Sequence, residues 1–219
     1  MSSPLRCVLM EPNERSEVIF STAHHRASPL RVLFATAQQK AFFEDAVINT
    51  HYKNIAFSTF EEYLSEEGKE KEIVMVADVP LNFEILTSVV NRGKEAGSEV
   101  VLLLLKINKK YLNMIEKRLS LKAEVLEFSH NKFVGINDKL RELVEQSYDL
   151  NRKGFYAYGS YINYFRASLL KKIFRTDQID VAKLARSFGF TTAPRVKEGS
   201  FLTEKARREK KTEKLKQKK

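Results

Sequence analysis

Asp78 ends the run Ile73-Val-Met-Val-Ala-Asp78, and an acid just past a buried parallel strand lies on the sheet edge where α/β proteins hold their ligands. The same residue also has a purely structural reading, a strand end that caps the turn before Pro80. A phosphate cradle needs a glycine-rich turn at a helix start, where backbone N–H groups face the anion. None of the eight glycines falls in G-x-G-x-x-G or G-x-x-x-x-G-K-[ST]. The only Gly-Lys pairs are Gly68-Lys69 and Gly93-Lys94, and Glu follows each where a hydroxyl is needed for Mg²⁺. His24 and His25 are adjacent and cannot both address one ion from a helix, while His51 and His130 stand alone, so no metal site is expected. The single cysteine, Cys7, lies in an apolar strand and reads as core; alone it excludes an intramolecular disulfide and a multi-cysteine zinc site. No Ser/His/Asp or Cys/His set assembles. The expectation is a chain without a self-contained catalytic site.

Polyanion binding is the chemistry these residue types do support. Residues 1–147 carry 19 Lys+Arg against 21 Asp+Glu, whereas residues 148–219 carry 19 against 7, so the whole +10 excess arises in the last third. Arg152, Lys153, Arg166, Lys171, Lys172 and Arg175 surround a stretch rich in Tyr and Phe, and Arg186, Arg195 and Lys197 continue the basic run. Phe155, Tyr158, Ile162, Phe165 and Leu169 recur at three- and four-residue steps and read as core. Tyr156, Tyr161 and Tyr164 lie off that stripe and could meet a base or a partner protein. Residues 203–219 hold nine Lys/Arg against three Glu and read as a solvated tail, or as a helix only when bound. Solubility or nuclear import would explain such a tail alone. Residues 148–202 are themselves about +6, however, and a basic folded surface beside a basic tail favours a polyphosphate partner. Nothing resembles a helix-turn-helix or a zinc finger, so RNA binding led by shape and backbone is expected over sequence-specific DNA binding.

The elements that must position these residues follow from periodicity. Short apolar runs at residues 6–10, 31–36, 53–57, 72–77 and 100–105 read as strands. Amphipathic stretches at 13–25, 38–47, 59–64, 83–97 and 108–119 read as the helices between them. Continuous Val/Leu/Ile strands separated by helices imply an α/β fold, a doubly wound, mostly parallel sheet covered on both faces. A helix over 136–148, an aromatic-rich stretch over 154–174 and a helix opened by Asp180 as N-cap and closed near Gly189 follow. The expected units are 1–127, 128–202 and the tail 203–219. The longest apolar run, Val100 to Leu105, is far below the ~20 residues that span a bilayer. With no apolar stretch behind a basic start, the N-terminus argues against secretion, and no membrane partner is expected.

Residues 128–196 resemble the C-terminal extension of nucleolar DEAD-box RNA helicases that build the large ribosomal subunit. The stretches that carry the resemblance are Lys139-Leu-Arg-Glu-Leu-Val-Glu-Gln-Ser-Tyr148, Ala157-Tyr-Gly-Ser-Tyr-Ile162, Leu169-Leu-Lys-Lys-Ile-Phe174, Ile179-Asp-Val-Ala-Lys-Leu-Ala-Arg-Ser-Phe-Gly-Phe190 and Ala193-Pro-Arg-Val196. Residues 5–127 are similar to a shrunken second RecA-like domain of the same enzymes. Arg31-Val-Leu-Phe-Ala-Thr36 stands for the family's "hhhF-x-[ST]" strand, Ile73 to Asp78 for the strand entering its Thr-Asp motif, and Val90-Asn-Arg-Gly-Lys-Glu-Ala-Gly97 for the region of its His-Arg-x-Gly-Arg motif. The departures matter. The Arg-Gly-Asp part after Asp78 is absent, as are the His and the arginine pair that reach ATP. The segment before residue 128 is too short for the family's intervening strand, and the first RecA-like domain with its Walker and Asp-Glu-Ala-Asp motifs is missing.

The resemblance therefore implies a degenerate relative, with Asp78 and Arg92 as remnants of a nucleotide site and no cofactor unless a first domain brings ATP and Mg²⁺ in trans. It implies ribosomal or pre-ribosomal RNA, ribosomal proteins and assembly factors as partners, and the nucleolus as the location. RNA binding is expected through Arg152, Lys153, Tyr156, Tyr161, Tyr164, Arg166, Lys171, Lys172, Arg175, Arg186, Arg195 and Lys197. The competing readings are the C-terminal part of an active helicase completed by a missing first domain, and a protein-interaction scaffold.

Overall fold

The computed structural model describes residues 5–196 apart from Asn49, His51, Lys69, Ser168, Leu169, Lys171, Lys172 and Arg175. The basic tail, with Lys197, lies outside the described residues, as do three of the cations expected to bind RNA (Lys171, Lys172 and Arg175).

Six strands form one wholly parallel sheet. They are β1 (Leu5–Met10), β2 (Leu30–Phe34), β3 (Ile55–Thr59), β4 (Ile73–Val76), β5 (Glu99–Leu105) and β6 (Ala123–Leu126), in the order β3-β2-β4-β5-β1-β6. The register sets Val32 beside Met75, Val76 beside Leu102, and Cys7 between Leu102 and Val125. All four residues of β4 are buried, as are six of the seven of β5, which is why these strands read as unbroken apolar runs. Between the strands run α1 (Arg15–His25), α2 (Ala37–Ile48), α3 (Phe60–Ser65), α4 (Phe83–Glu95) and α5 (Lys110–Leu119). The α/β expectation holds in class and in the order of its elements.

The chain does find room for a sixth strand. Ser120 takes a left-handed conformation (φ 53°) that ends α5 in one residue, and β6 begins three residues later against β1. Glu124 and Val125 are exposed and the strand has only four residues, so its ladder with β1 holds it more than its apolar content does. Arg6 on β1 adds an ion pair to Glu124, at 3.4 Å.

Among the described residues three further α-helices follow: α6 (Ile136–Gln146), α7 (Tyr148–Arg166) and α8 (Val181–Arg186). Sequence periodicity ran α6 on to Tyr148; instead Ser147 is extended and its Oγ accepts the Leu150 N–H at 3.3 Å, so it starts α7. Of the 154–174 stretch, α7 takes in the residues up to Arg166. Asp180 caps α8 as expected, its Oδ1 accepting the Lys183 N–H at 2.9 Å. Gly189 has φ +78°, and a Cβ there would stand 2.6 Å from the Leu140 carbonyl oxygen, so a glycine is required where the end of α8 meets α6.

These helices share the hydrophobic core of the sheet. Phe42 and Phe43 of α2 have ring centroids 5.9 and 6.0 Å from Phe188, and Tyr111 of α5 lies 5.2 Å from Phe174. Each fully buried side chain of this kind contributes about 1.5–3 kcal/mol relative to an exposed one, and the aromatic contacts are what weld the helical end onto the α/β layer.

Candidate functional site

The edge of the sheet beyond β2 and β4 is the place to look for a ligand in this fold. It is built around a buried ion pair. Arg15, the first residue of α1, is fully buried, and its Nη2 donates to Asp78 Oδ1 and to Gln39 Oε1, each at 2.7 Å. Asp78 Oδ2 accepts the Ala35 N–H at 2.9 Å and Gln39 Nε2 at 2.8 Å. Four aromatic rings enclose the guanidinium: Phe34, Phe43, Tyr161 and Phe188, with centroids 5.1, 5.6, 5.1 and 5.5 Å from its central carbon. Two of the rings belong to the α/β layer and two to the helical end. Arg15 Nε and Nη1 have no hydrogen-bond acceptor among the described residues and are shut in with these rings.

Asp78, expected as a remnant of a nucleotide site, thus faces inward with both oxygens occupied. It neither caps the turn before Pro80 nor opens toward a ligand. The next residues are equally committed: Tyr164 Oη accepts the Leu81 N–H at 3.0 Å and donates to the Val79 carbonyl at 3.3 Å, while Tyr111 Oη donates to the Pro80 carbonyl at 2.6 Å. Burial pushes the phenols of Tyr111, Tyr161 and Tyr164 well above their ordinary range, so all three stay neutral, and those of Tyr111 and Tyr164 donate to the 79–80 carbonyls. The segment that follows the strand is sealed by tyrosines.

Arg92 is elsewhere. Its guanidinium lies 4.9 Å from the Tyr63 ring and donates to the Gly68 carbonyl at 2.8 Å, on the loop that enters β4, whereas Asp78 follows the end of β4. The two residues expected to share a nucleotide site are at opposite ends of one strand.

The basic residues divide in the same way. Arg152, Arg166, Arg186 and Arg195 are exposed, as is Tyr156, at 46% of its surface. Arg152 is paired with Asp149 at 3.4 Å, and half-buried Lys153 is paired with Asp45. Tyr161 does not meet solvent: it is buried against Arg15, and Tyr164 is spent on the 79–81 backbone. Arg186 and Arg141 flank an open cleft of about 300 Å³ between α6 and α8, with Asn137, Gly189, Phe190 and Thr191 on its walls. Among the described residues no group of three or more His, Cys, Asp or Glu could hold a metal ion.

Sequence reasoning missed Arg15, Arg141 and Phe190. Arg15 stands in the polar string Glu14-Arg15-Ser16-Glu17, which reads as a solvated helix start. Arg141 lies on the polar side of an amphipathic helix, and only its place across from Arg186 gives it interest. Phe190 directly follows the helix-stopping Gly189, a position from which a ring commonly folds back.

Comparison with known proteins bears on both halves. Residues 147–196 match the model of a family described as "ATP-dependent rRNA helicase SPB4-like, C-terminal extension". Over 70 residues, 32% of its length, the chain is 36% identical to the ATP-dependent RNA helicase has1 of Neosartorya fischeri, of which the match covers 11%. Over 107 residues it is 30% identical to the HAS1 protein of Phaeosphaeria nodorum, covering 48% of this chain and 17% of that protein. The matched stretch therefore spans only about a tenth to a sixth of the length of these relatives. Among solved structures, domain 2 of the DEAD-box helicase Mss116p, bound to an RNA duplex, superposes with a TM-score of 0.58 at 16% identity, over 84% of this chain and 85% of that one. Mss116 bound to ssRNA and UDP-BeF gives 0.60 at 14% identity, over 85% and 44%. The resemblance to DEAD-box RNA helicases holds in the sequence of the extension and, independently, in the RecA-like fold of the second helicase domain.

Proposed function

We propose that this chain is a catalytically degenerate, DEAD-box-helicase-like factor of ribosome biogenesis that binds pre-ribosomal RNA in the large-subunit precursor, in the nucleolus. One observation carries the reading: the sheet edge that would face a nucleotide is closed by Arg15, Asp78 and the tyrosines, while Arg152, Arg166, Arg186 and Arg195 of the helical end are exposed. Neither Asp78 nor Arg92 is placed to meet a phosphate at that edge, so the residues present do not fit ATP with Mg²⁺. An RNA duplex or strand needs no such pocket. Its backbone is held by cations that displace condensed counterions, and its bases by exposed rings such as Tyr156. That the relatives are ATP-dependent RNA helicases supports an RNA partner for this chain, and the rRNA helicase family matched by residues 147–196 supports rRNA as its class.

Purified full-length protein should bind structured rRNA without nucleotide, with an affinity that falls linearly in log–log against salt, and should not hydrolyse ATP. Binding that ignores salt, or ATP turnover by the chain alone, refutes the proposal. The short share of each relative that the match covers favours a second reading, in which a separate first domain completes an ATPase. RNA-stimulated turnover on adding a Walker-containing first domain would establish it.

A further inference from the structure

Most cations on α6 and α7 already have an acidic neighbour: Lys139 with Glu142, Arg141 with Asp138, Arg152 with Asp149 and Lys153 with Asp45. The α/β layer, nearly neutral as a whole, carries the opposite arrangement in one place. Between residues 106 and 122 stand six cations, Lys106, Lys109, Lys110, Lys117, Arg118 and Lys122, against the single carboxylate Glu116. All six are exposed, and of these only Lys106 makes an ion pair with another described residue.

Helical geometry gathers them. At 100° per residue, Lys110, Asn113 and Lys117 fall within about 60° of arc on α5, with Lys109 on one flank; Lys106 stands in the 3-10 turn that leads into the helix, and Arg118 lies over the Phe83 ring, 5.1 Å from its centroid. The opposite side of α5 is core, with Tyr111 and Ile115 fully buried. Lys110 and Lys117 are about 10 Å apart along the axis, roughly three nucleotide steps of one strand in a duplex. Clustered like charges of this kind repel, and an unpaired row of them is destabilising until a polyanion covers it.

The row is continuous with the helical end. The Glu11 carboxylate is shared by Lys106 Nζ at 3.3 Å and by Lys183 Nζ of α8 at 3.5 Å, so the start of α5 and the basic side of α8 meet at one residue. Arg186 lies one turn beyond Lys183.

We infer that the exposed face of α5, joined to α8 through Glu11, is a second RNA-backbone surface, so that one strand is tracked from Arg186 across to Lys117. This rests on the RNA-binding reading above and extends it onto the α/β layer. An isolated lysine row suits phosphate contacts, which need charge and reach but no fixed fork geometry. With an exposed ring absent from the row, it contributes backbone affinity and not base selection.

The test uses the full chain carrying Lys109→Gln, Lys110→Gln and Lys117→Gln together, since Gln keeps helix propensity. Its helicity is checked by circular dichroism, and its affinity for a single-stranded RNA oligonucleotide is measured across a salt series. The expected result is a salt slope smaller by about 2, at about 0.7 per lost phosphate contact. Arg152→Gln with Arg186→Gln, measured alongside, reports on the helical end alone. If that pair flattens the slope and the α5 triple variant matches wild type, the α5 surface is refuted while RNA binding by the helical end stands. If wild-type protein shows no salt-dependent RNA binding, both fall. A triple variant that loses binding to a polyglutamate peptide yet keeps the wild-type RNA slope would assign the face to an acidic protein and equally overturn the inference.

Discussion

Removing the Asp78 carboxylate should strand a charge in the core. Asp78→Ala leaves the Arg15 guanidinium at zero exposure with one remaining acceptor, Gln39 Oε1, and also deprives the Ala35 N–H and Gln39 Nε2 of theirs. Breaking a buried pair from one side costs about 3–5 kcal/mol, because the remaining ion is neither hydrated nor compensated. Arg15→Met should cost less, about 2–3 kcal/mol. The carboxylate it leaves keeps two N–H donors, and Met refills part of the space among the four rings. The combined Arg15→Met/Asp78→Ala variant removes both charges and should fall short of the sum of the two single effects by at least about 2 kcal/mol. Urea unfolding followed by far-UV circular dichroism and tyrosine fluorescence, the chain having no Trp, reads all three. A loss under 1 kcal/mol for Asp78→Ala, or strict additivity in the double variant, would refute the claim that Arg15 and Asp78 are a tightly coupled buried pair at the sheet edge.

Gly189→Ala forces a left-handed residue and a 2.6 Å approach to the Leu140 carbonyl, and should cost more than 2 kcal/mol by urea midpoint; Gly97→Ala, with φ +67° and open space, should cost about 1. Tyr164→Phe leaves the Leu81 N–H without its acceptor, and a loss of about 1–3 kcal/mol is expected in the same assay. Burial pushes the Cys7 thiol from 9.0 up to about 12, so the folded state holds its proton where the unfolded chain releases it. Stability from this group is complete below pH 9 and declines above it by at most about 1.4 kcal/mol per pH unit; the Cys7→Ala chain should show a flatter stability profile between pH 9 and 10. The native thiol should also react with a disulfide reagent only after unfolding.

How much of this was legible in the sequence depends on the range of the interaction involved. Apolar runs such as Val100 to Leu105 declare a buried parallel strand because both faces must be covered, and Asp180 and Gly189 declare the ends of α8 because caps are local chemistry. The extension was readable from residue order, and its family likeness follows from that order. β6 was not readable: four residues with half their side chains in water form a strand only because β1 offers an unpaired edge. Tyr161 illustrates the same limit, since helical periodicity placed it off the core stripe while the guanidinium of Arg15, 146 positions earlier, drew it inside.

The sequence by itself determined the fold class, the cationic end and the lack of a glycine-rich phosphate-binding motif within these residues, all of which follow from composition and short-range pattern. Only the tertiary structure decided which charges are available. It buried Arg15 against Asp78, spent Tyr161 and Tyr164, and left the lysines of α5 unpaired, because solvation and pairing depend on which surfaces the chain brings together and no sequence window contains both partners.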